Sequence, residues 1–267
     1  MGEFSTGSSY TTEGIKMSLR ILQIDIETAP HTALIWGPKQ SWISPDNVVE
    51  SGYTLCFAAK WYGKPGVIFS SVLGGEREMA QLAWDLLDEA DAVIHYNVTK
   101  FDIPILRGDW MIHRLGSPSP FHEIDLLKVV RQRFRRYSNK LDEVAKWLGV
   151  GSKVRHKGLQ LWVECMRGDE KAWKTMRRYN IQDVLLLEKV YNLLRGDIRQ
   201  HPNHALYTDD TRPCCPKCGS RQLTRQGFKT TLTQKYQQFK CKKCGSWIRK
   251  RTTSVPPDKR EGVMVAI

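Results

Sequence analysis

Residues 20–28 read RILQIDIET. The first seven form a short apolar, β-branched run of the kind that makes a buried strand. Asp25 and Glu27 lie two apart in it, so both carboxylates point to the same face. A buried strand seldom carries charge, and two acids on one face repel each other unless a cation lies between them. A divalent metal is the simplest resolution. The spacing alone is not distinctive, because Glu76/Glu78, Glu89/Asp91 and Glu123/Asp125 repeat it. The strand context sets Asp25/Glu27 apart.

Residues 53–61 (YTLCFAAKW) and 66–73 (GVIFSSVL) read as two further strands, with GKPG beside them as turn chemistry. With the first strand they predict a three-stranded antiparallel meander. Met79, Leu82, Ala83, Leu86 and Leu87 give residues 75–90 a helical period, and AVIH (92–95) predicts a fourth strand. Helices are predicted over 102–115, 126–134 and 141–148, the last capped by Ser138 or Asn139 and ended by Gly149. A long helix is predicted from about 170 to 194, with Gly196 just beyond it. Strands followed by alternating strands and helices predict an α/β domain: a mixed sheet flanked by helices.

Two later segments carry further acids. Asp102, in HYNVTKFDIPIL (95–106), is placed near a helix N-terminus at the mouth of the sheet, where an ordinary N-cap is the alternative reading. Tyr179 and Asp183 are four apart on the long helix and share a face. Ile181, Val184, Leu185, Leu186 and Leu187 imply that this stretch is largely buried, so Asp183 needs a metal or a basic partner. Four carboxylates can hold two divalent ions, and two such ions stabilise both the attacking and the leaving oxygen of a phosphodiester displacement. Oxygen ligands suit Mg²⁺ or Mn²⁺.

The formal net charge of the 267 residues is +13, unevenly spread. Residues 201–267 hold 14 Lys/Arg against 4 Asp/Glu, and the first 200 hold 27 against 24. A concentrated basic segment favours a polyanionic partner, most commonly nucleic acid. No run of 18 apolar residues predicts a membrane span, and residues 1–17 read as a polar, flexible leader without a secretory signal. Of seven cysteines, Cys56 and Cys165 stand alone in apolar surroundings and read as buried, inert thiols. The other five crowd into 214–244, which argues for metal rather than disulfides in a reducing, cytoplasmic setting, bacterial or within a virus-infected cell.

IDIET (24–28), HYNVTKFDIPIL (95–106) and YNIQDVLLLEKVY (179–191) resemble the three exonuclease motifs of the DEDD superfamily. They are similar in particular to the proofreading domain of family B DNA polymerases and related stand-alone exonucleases. Tyr179 in the third motif, where other members carry His, marks the DEDDy branch, and LDEVAKWLGV (141–150) resembles the helix after the second motif. The resemblance spans roughly residues 18–195. It implies an RNase H-like fold, two metal ions, 3′→5′ hydrolysis and mononucleotide products. Carried over by position, Asp25 bridges both metals. Glu27 and Asp183 complete the site that activates the attacking water, and Asp102 serves the second metal through waters. Tyr179 orients the water and is not its base, since an unperturbed phenol has a pKa of about 10. Thr28, Asn97 and Phe101 fall where related enzymes contact the terminal nucleotide. The 267 residues leave no room for a polymerase domain, so a proofreading role would require a replication or repair protein acting in trans.

Cys215-x2-Cys218 and Cys241-x2-Cys244 are two CxxC pairs separated by 22 residues. Four thiolates from two tight turns make a closed tetrahedral zinc site with a structural role. Cys214 is an alternative to Cys215. The intervening LTRQGFKTTLTQKYQQFKC reads as a β-hairpin, and CPKCGS…YQQFKCKKCGS resembles the zinc ribbons of some insertion-sequence transposases, which implies DNA binding. Lys229, Lys235, Lys240, Lys242, Lys243, Arg249, Lys250 and Arg251 interleave with Phe228, Tyr236, Phe239 and Trp247, pairing phosphate contacts with stacking. Tyr236 and Phe239 also suit the ribbon's small core, and a protein-binding ribbon is a second reading. The expected order is a leader (1–17), an RNase H-like 3′→5′ exonuclease domain (18–196), a linker or surface loop (197–212), a zinc ribbon (213–252) and a tail without readable structure (253–267). DNA is favoured over RNA as substrate. An exoribonuclease, or a catalytically silent nucleic-acid-binding regulator, are the alternatives. RQRFRRYSNK (131–140) and SKVRHK (152–157) are candidate linings of a strand-binding groove or plain solvated surface; His95 and His156 are assigned no role.

Overall fold

The computed structural model describes residues 18–39, 42–97 and 102–266. The expected leader and Phe101 lie outside the described residues. The central strand β1 (Ile21–Thr28) is followed by a small hairpin, β2 (Thr32–Ala33) and β3 (Val48–Glu50), then by β4 (Thr54–Trp61) and β5 (Ile68–Ser71). Helix α1 (Glu76–Asp88), β6 (Ala92–His95), α2 (Asp102–Ile112) and β7 (His122–Asp125) follow in alternation. Four helices complete this part: α3 (Leu126–Arg133), α4 (Leu141–Trp147), α5 (Leu159–Met166) and α6 (Glu170–Leu194).

The sheet order is β5-β4-β1-β6-β7. β1 pairs antiparallel with β4 and parallel with β6, and β6 pairs parallel with β7. The antiparallel meander is therefore present, with the β2–β3 hairpin inserted into it. Strand β7 and helix α5 were not read from the sequence. HEID offers four residues with two exposed, too short a run for period-two alternation to register. Helix α4 is preceded by Lys140, which makes no side-chain cap, so neither Ser138 nor Asn139 caps it; Gly149, at φ 72, does follow it.

The period of two along β1 sorts its residues between two layers. Leu22, Ile24 and Ile26 pack with Met79, Ala83, Leu87, Leu106 and Trp110 beneath α1 and α2. The odd-numbered residues face α6, whose Leu186, Leu187, Val190, Tyr191 and Leu194 share a cluster with Ile21, Ala92 and Ile94. Asp25 and Glu27 thus project from the sheet face that α6 covers. Asp169 caps the start of α6 by accepting from Ala172 N at 2.7 Å.

Beyond α6, short 3₁₀ turns at Arg195–Asp197 and His204–Tyr207 lead into a three-stranded antiparallel sheet. Its strands are β8 (Leu223–Thr230), β9 (Lys235–Cys241) and β10 (Trp247–Arg249), in the order β10-β9-β8. Ile198, in the segment read as linker or loop, is buried in the α6 core. The tail, read as structureless, forms one short helix, α7 (Pro257–Arg260). Among the described residues no helix is long and apolar enough to cross a membrane.

His95 ends β6 with no exposed surface. Burial dominates its environment and pushes its pKa down to about 4, against opposing pulls from Asp125 and Glu123 and a further lowering by Lys128. The unfolded chain therefore binds the proton more readily. The stabilising contribution is complete above the unfolded value near 6.5 and fades as pH falls toward about 4. Urea titrations of the wild type and His95→Asn at pH 7.5 and 4.5 should show the stability difference shifting against the wild type by up to about 3 kcal/mol at the lower pH. Parallel losses in both proteins would refute this.

Candidate active site

Three carboxylates converge. Oxygen atoms of Asp25 and Glu27 on β1 and of Asp183 on α6 all lie within 4.8 Å of one another. Asp102, first residue of α2, reaches the same place: the Ile26 backbone N–H, between the two β1 acids, donates to its carboxylate. Asp25 feels the charges of Glu27, Asp183 and Asp102 together. A β-bulge between Glu27 and Thr28 ends the regular pairing of β1 with β4 at this point, which is a common device beside functional sites.

Electrostatics follow from crowding like charges in a poorly solvated place. Burial, then Glu27, Asp183 and Asp102, hold the Asp25 carboxyl well above the usual carboxylate range. Burial pushes Glu27 up to about 7, although Lys153 pulls the other way. Burial likewise raises Asp102 to about 6 and raises Asp183 against the opposing pull of Lys153. Four acids so placed call for positive charge. All donors are hard oxygens, which suits divalent ions such as Mg²⁺ or Mn²⁺.

Part of that positive charge comes from Lys153. Its Nζ lies 2.5 Å from Asp183 Oδ2 and donates to the Tyr179 hydroxyl at 3.1 Å. Burial alone lowers the pKa of this ammonium, but Asp183 and Asp25 outweigh it and keep the group protonated. The loop is aimed by Asp142 of α4, which accepts from Lys153 N at 2.7 Å. Lys153 falls in SKVRHK, for which the sequence offers a groove lining or a plain solvated surface, and nothing in that stretch points to a pairing with Asp183.

Tyr179 is nearly buried, and burial together with Asp183 raises its phenol, so it is a hydrogen-bonding group and not a base at neutral pH. Its ring meets His156 edge-on at 4.8 Å and Trp162 at 6.0 Å. Trp162 also donates to Glu27. Asn180, the next residue on α6, donates to the Asp25 carboxylate at 2.8 Å and to its carbonyl at 3.1 Å. His156, Trp162 and Asn180 are supporting residues that the motif reading did not find. Only the neighbour relation of Asn180 to Tyr179 hinted at one of them.

Asp25 opens onto a cleft of about 760 Å³, which Asn97, Arg131, Lys140, Lys153, His156 and Tyr179 also line. Asn97 has a left-handed backbone, φ 74, and its N–H donates to Asp125 Oδ1 at 3.1 Å. That oxygen also accepts from Leu127 N and Lys128 N as the N-cap of α3. Asp125 thus links the cleft wall to the third helix. Thr28 ends β1 past the bulge, and Phe101 lies outside the described residues. Cys56 and Cys165 are buried, and burial pushes the Cys165 thiol up to about 11, as expected of inert thiols.

The second cluster joins Cys215, Cys218, Cys241 and Cys244. Cys215 and Cys244 Sγ are 3.6 Å apart, as are Cys218 and Cys241 Sγ. A tetrahedron with metal–sulfur bonds of about 2.3 Å has edges of roughly 3.8 Å, whereas a disulfide bond is about 2.05 Å. The spacing therefore fits a small zinc ribbon. Cys214 is not part of the cluster.

A family profile described as the RNase_H superfamily matches residues 51–195. The matched span starts after β1, so Asp25 and Glu27 enter the site through sheet pairing. Comparison with curated protein sequences found no match.

Glu27→Gln should relieve repulsion and raise the melting temperature of metal-free protein at pH 8. It should also reduce or abolish the increment that Mg²⁺ or Mn²⁺ adds to the wild type, an increment that grows with ligand concentration. An undiminished metal-induced increment in the variant would exclude Glu27 as a ligand.

Proposed function

The chain belongs to the RNase_H superfamily, and from that premise we propose that it is a metal-dependent 3′→5′ exonuclease of the DEDDy type acting on DNA ends. The observation that carries this reading is the meeting of Asp25, Glu27 and Asp183 within 4.8 Å, beside the Tyr179 hydroxyl. Asp25, Glu27, Asp102 and Asp183 would hold two Mg²⁺ or Mn²⁺ ions. When bound, these ions stabilise charge on the attacking and leaving oxygens of the scissile phosphodiester.

The chain's own residues do the rest. Tyr179, kept protonated and tied to Lys153, orients the attacking water. Asn180 fixes the Asp25 carboxylate, and Trp162 fixes that of Glu27. The Lys153 ammonium balances the acids and lies where it can meet a phosphate oxygen. Asn97 and Thr28 flank the position of the terminal nucleotide, with Arg131 and Lys140 on the cleft wall to receive the backbone. Mononucleotides are the expected product.

The four cysteines would bind one structural Zn²⁺. Lys229, Lys240, Lys242, Arg249 and Lys250 are exposed on the ribbon, and Phe228 and Trp247 are 42% and 53% exposed. Lys235 lies 4.3 Å over the Phe228 ring, and Lys240 5.6 Å over Trp247. Cations interleaved with open aromatic faces suit a nucleic-acid strand, whereas Tyr236 and Phe239 are half-buried within the ribbon.

With 5′-labelled single-stranded DNA and Mg²⁺ or Mn²⁺, the wild type should produce a ladder of shortening products. Asp183→Asn should slow it by about a thousandfold or more, corresponding to roughly 4 kcal/mol of lost transition-state stabilisation. Matched RNA is expected to be the poorer substrate. A single internal cut, or equal negligible cleavage by both proteins, would overturn the exonuclease reading. For the ribbon, Lys229→Glu with Lys250→Glu should weaken DNA binding and flatten its salt dependence by about one unit of slope per lost phosphate contact. An unchanged slope would remove the ribbon from the nucleic-acid interface.

A further inference from the structure

Arg195, just past the end of α6, is an unusual residue to bury. It is 4% exposed, its guanidinium lying between the rings of Tyr62 at 4.7 Å and Tyr191 at 4.5 Å. Its Nη2 donates to the Tyr62 hydroxyl and to Asn192 Oδ1, while its Nε has no hydrogen-bond partner among the described residues. Arg195 forms no ion pair with a carboxylate among the described residues. Tyrosine hydroxyls and an amide do not neutralise a cation, and a buried charge without a counter-charge is strongly destabilising.

The ribbon's second cysteine turn packs against the residue that follows Arg195. At Gly196, a Cβ atom would fall 2.6 Å from the Cys244 carbonyl oxygen, so only glycine lets this backbone rest against the second cysteine turn. Lys217, between the first two cysteines, donates to the Gly196 carbonyl at 2.6 Å. His204 N donates to the carbonyl of Pro216 at 2.8 Å. Tyr191 is held from the other side. His201 Nδ1–H meets the Pro202 carbonyl at 2.7 Å, which leaves Nε2 as acceptor for the Tyr191 hydroxyl, also at 2.7 Å. Cys218 acts electrostatically on Arg195, and Cys218 and Cys244 both act on Tyr191.

We propose that Arg195, together with Lys217, balances the charge of the four-cysteine metal centre, and that through it one zinc ion stabilises both the ribbon and the C-terminal end of the nuclease helix. Four thiolates around a divalent ion leave a net double negative charge, which is what a buried guanidinium without a carboxylate requires. Removing the ion releases the cysteine turn that rests on Gly196, leaves Arg195 uncompensated and loosens its contacts with Tyr62 at the end of β4 and Tyr191 on α6. The inference rests on zinc occupying the ribbon and is independent of the nuclease activity. Arg195 is a positioning residue, about 18 Å along the helix from Asp183 by its rise of about 1.5 Å per residue.

The test uses the full-length zinc-loaded protein and two readouts. Zinc release is measured by equilibrium competition with a chromogenic chelator, and amide hydrogen exchange is followed in residues 186–194. Zinc removal from the wild type should raise exchange in that segment at least tenfold. Arg195→Gln should weaken zinc binding at least tenfold, and Arg195→Lys should restore most of it. Should Arg195→Gln fail to fold, Gly196→Ala is the second variant; its Cβ forces the two units apart, so zinc removal should no longer change exchange in 186–194. Equal zinc affinity in wild type and Arg195→Gln, or exchange in 186–194 indifferent to zinc in the wild type, overturns the coupling. Elemental analysis finding no zinc in the wild type would overturn the zinc reading itself, a result distinct from the other two.

Discussion

Mutual repulsion among four carboxylates is the constraint around which the larger domain is organised. Asp25 and Glu27 cannot avoid each other, because a strand puts alternate residues on one face. Asp183 is brought against them by a helix whose apolar face covers the same side of the sheet, and Asp102 is tied to the β1 backbone between them. Burial raises the cost of every negative charge in the set. Such a cluster persists only because the hydrophobic layers on either side of β1 hold the sheet and α6 together. What offsets it is positive charge, from Lys153 within the chain and, on the proposed function, from divalent ions.

The surrounding residues restrict how that charge is delivered. Asp142 aims the Lys153 loop, Asn180 and Trp162 each fix one acid, and His156 and Trp162 brace the Tyr179 ring. Each of these contacts reduces the freedom of a group that the proposed hydrolysis would need in position, which is where much of the catalytic advantage of a preorganised site arises. On the proposal made above, the ribbon follows a related electrostatic logic with the signs exchanged: a buried guanidinium at the end of α6 is balanced by a metal-bound sulfur cluster. The middle of α6, at Asp183, and its C-terminal end, at Arg195, would then both depend on charge compensation by groups distant in sequence.

Much of this arrangement was legible before any coordinates. The acid pair was conspicuous because charge in an apolar run is rare. Tyr179 and Asp183 stood out by their spacing on a strongly periodic helix, and the two CxxC turns by a pattern that has few other uses. Strand β7 escaped because four residues with two exposed carry no period, and Asp125 was passed over as one more acid-x-acid triplet. It is instead the residue that caps α3 and holds the Asn97 backbone. Lys153, Trp162 and Asn180 escaped for another reason: each acts on a residue far away along the chain, and the only local sign is the place of Asn180 beside Tyr179.

By itself the sequence determined most of the long elements, which faces of them are apolar and which residues can bind metal, because periodicity and side-chain chemistry are local properties. Only the tertiary structure decided that Lys153 meets Asp183 and Tyr179, that Asp102 joins the β1 pair and that Cys215 rather than Cys214 completes the sulfur cluster. The packing of Gly196 against Cys244, with Arg195 enclosed beside it, belongs to the same group. These are contacts between segments separated by tens of residues, and they exist only once packing has chosen one relative placement of sheet, helix and ribbon.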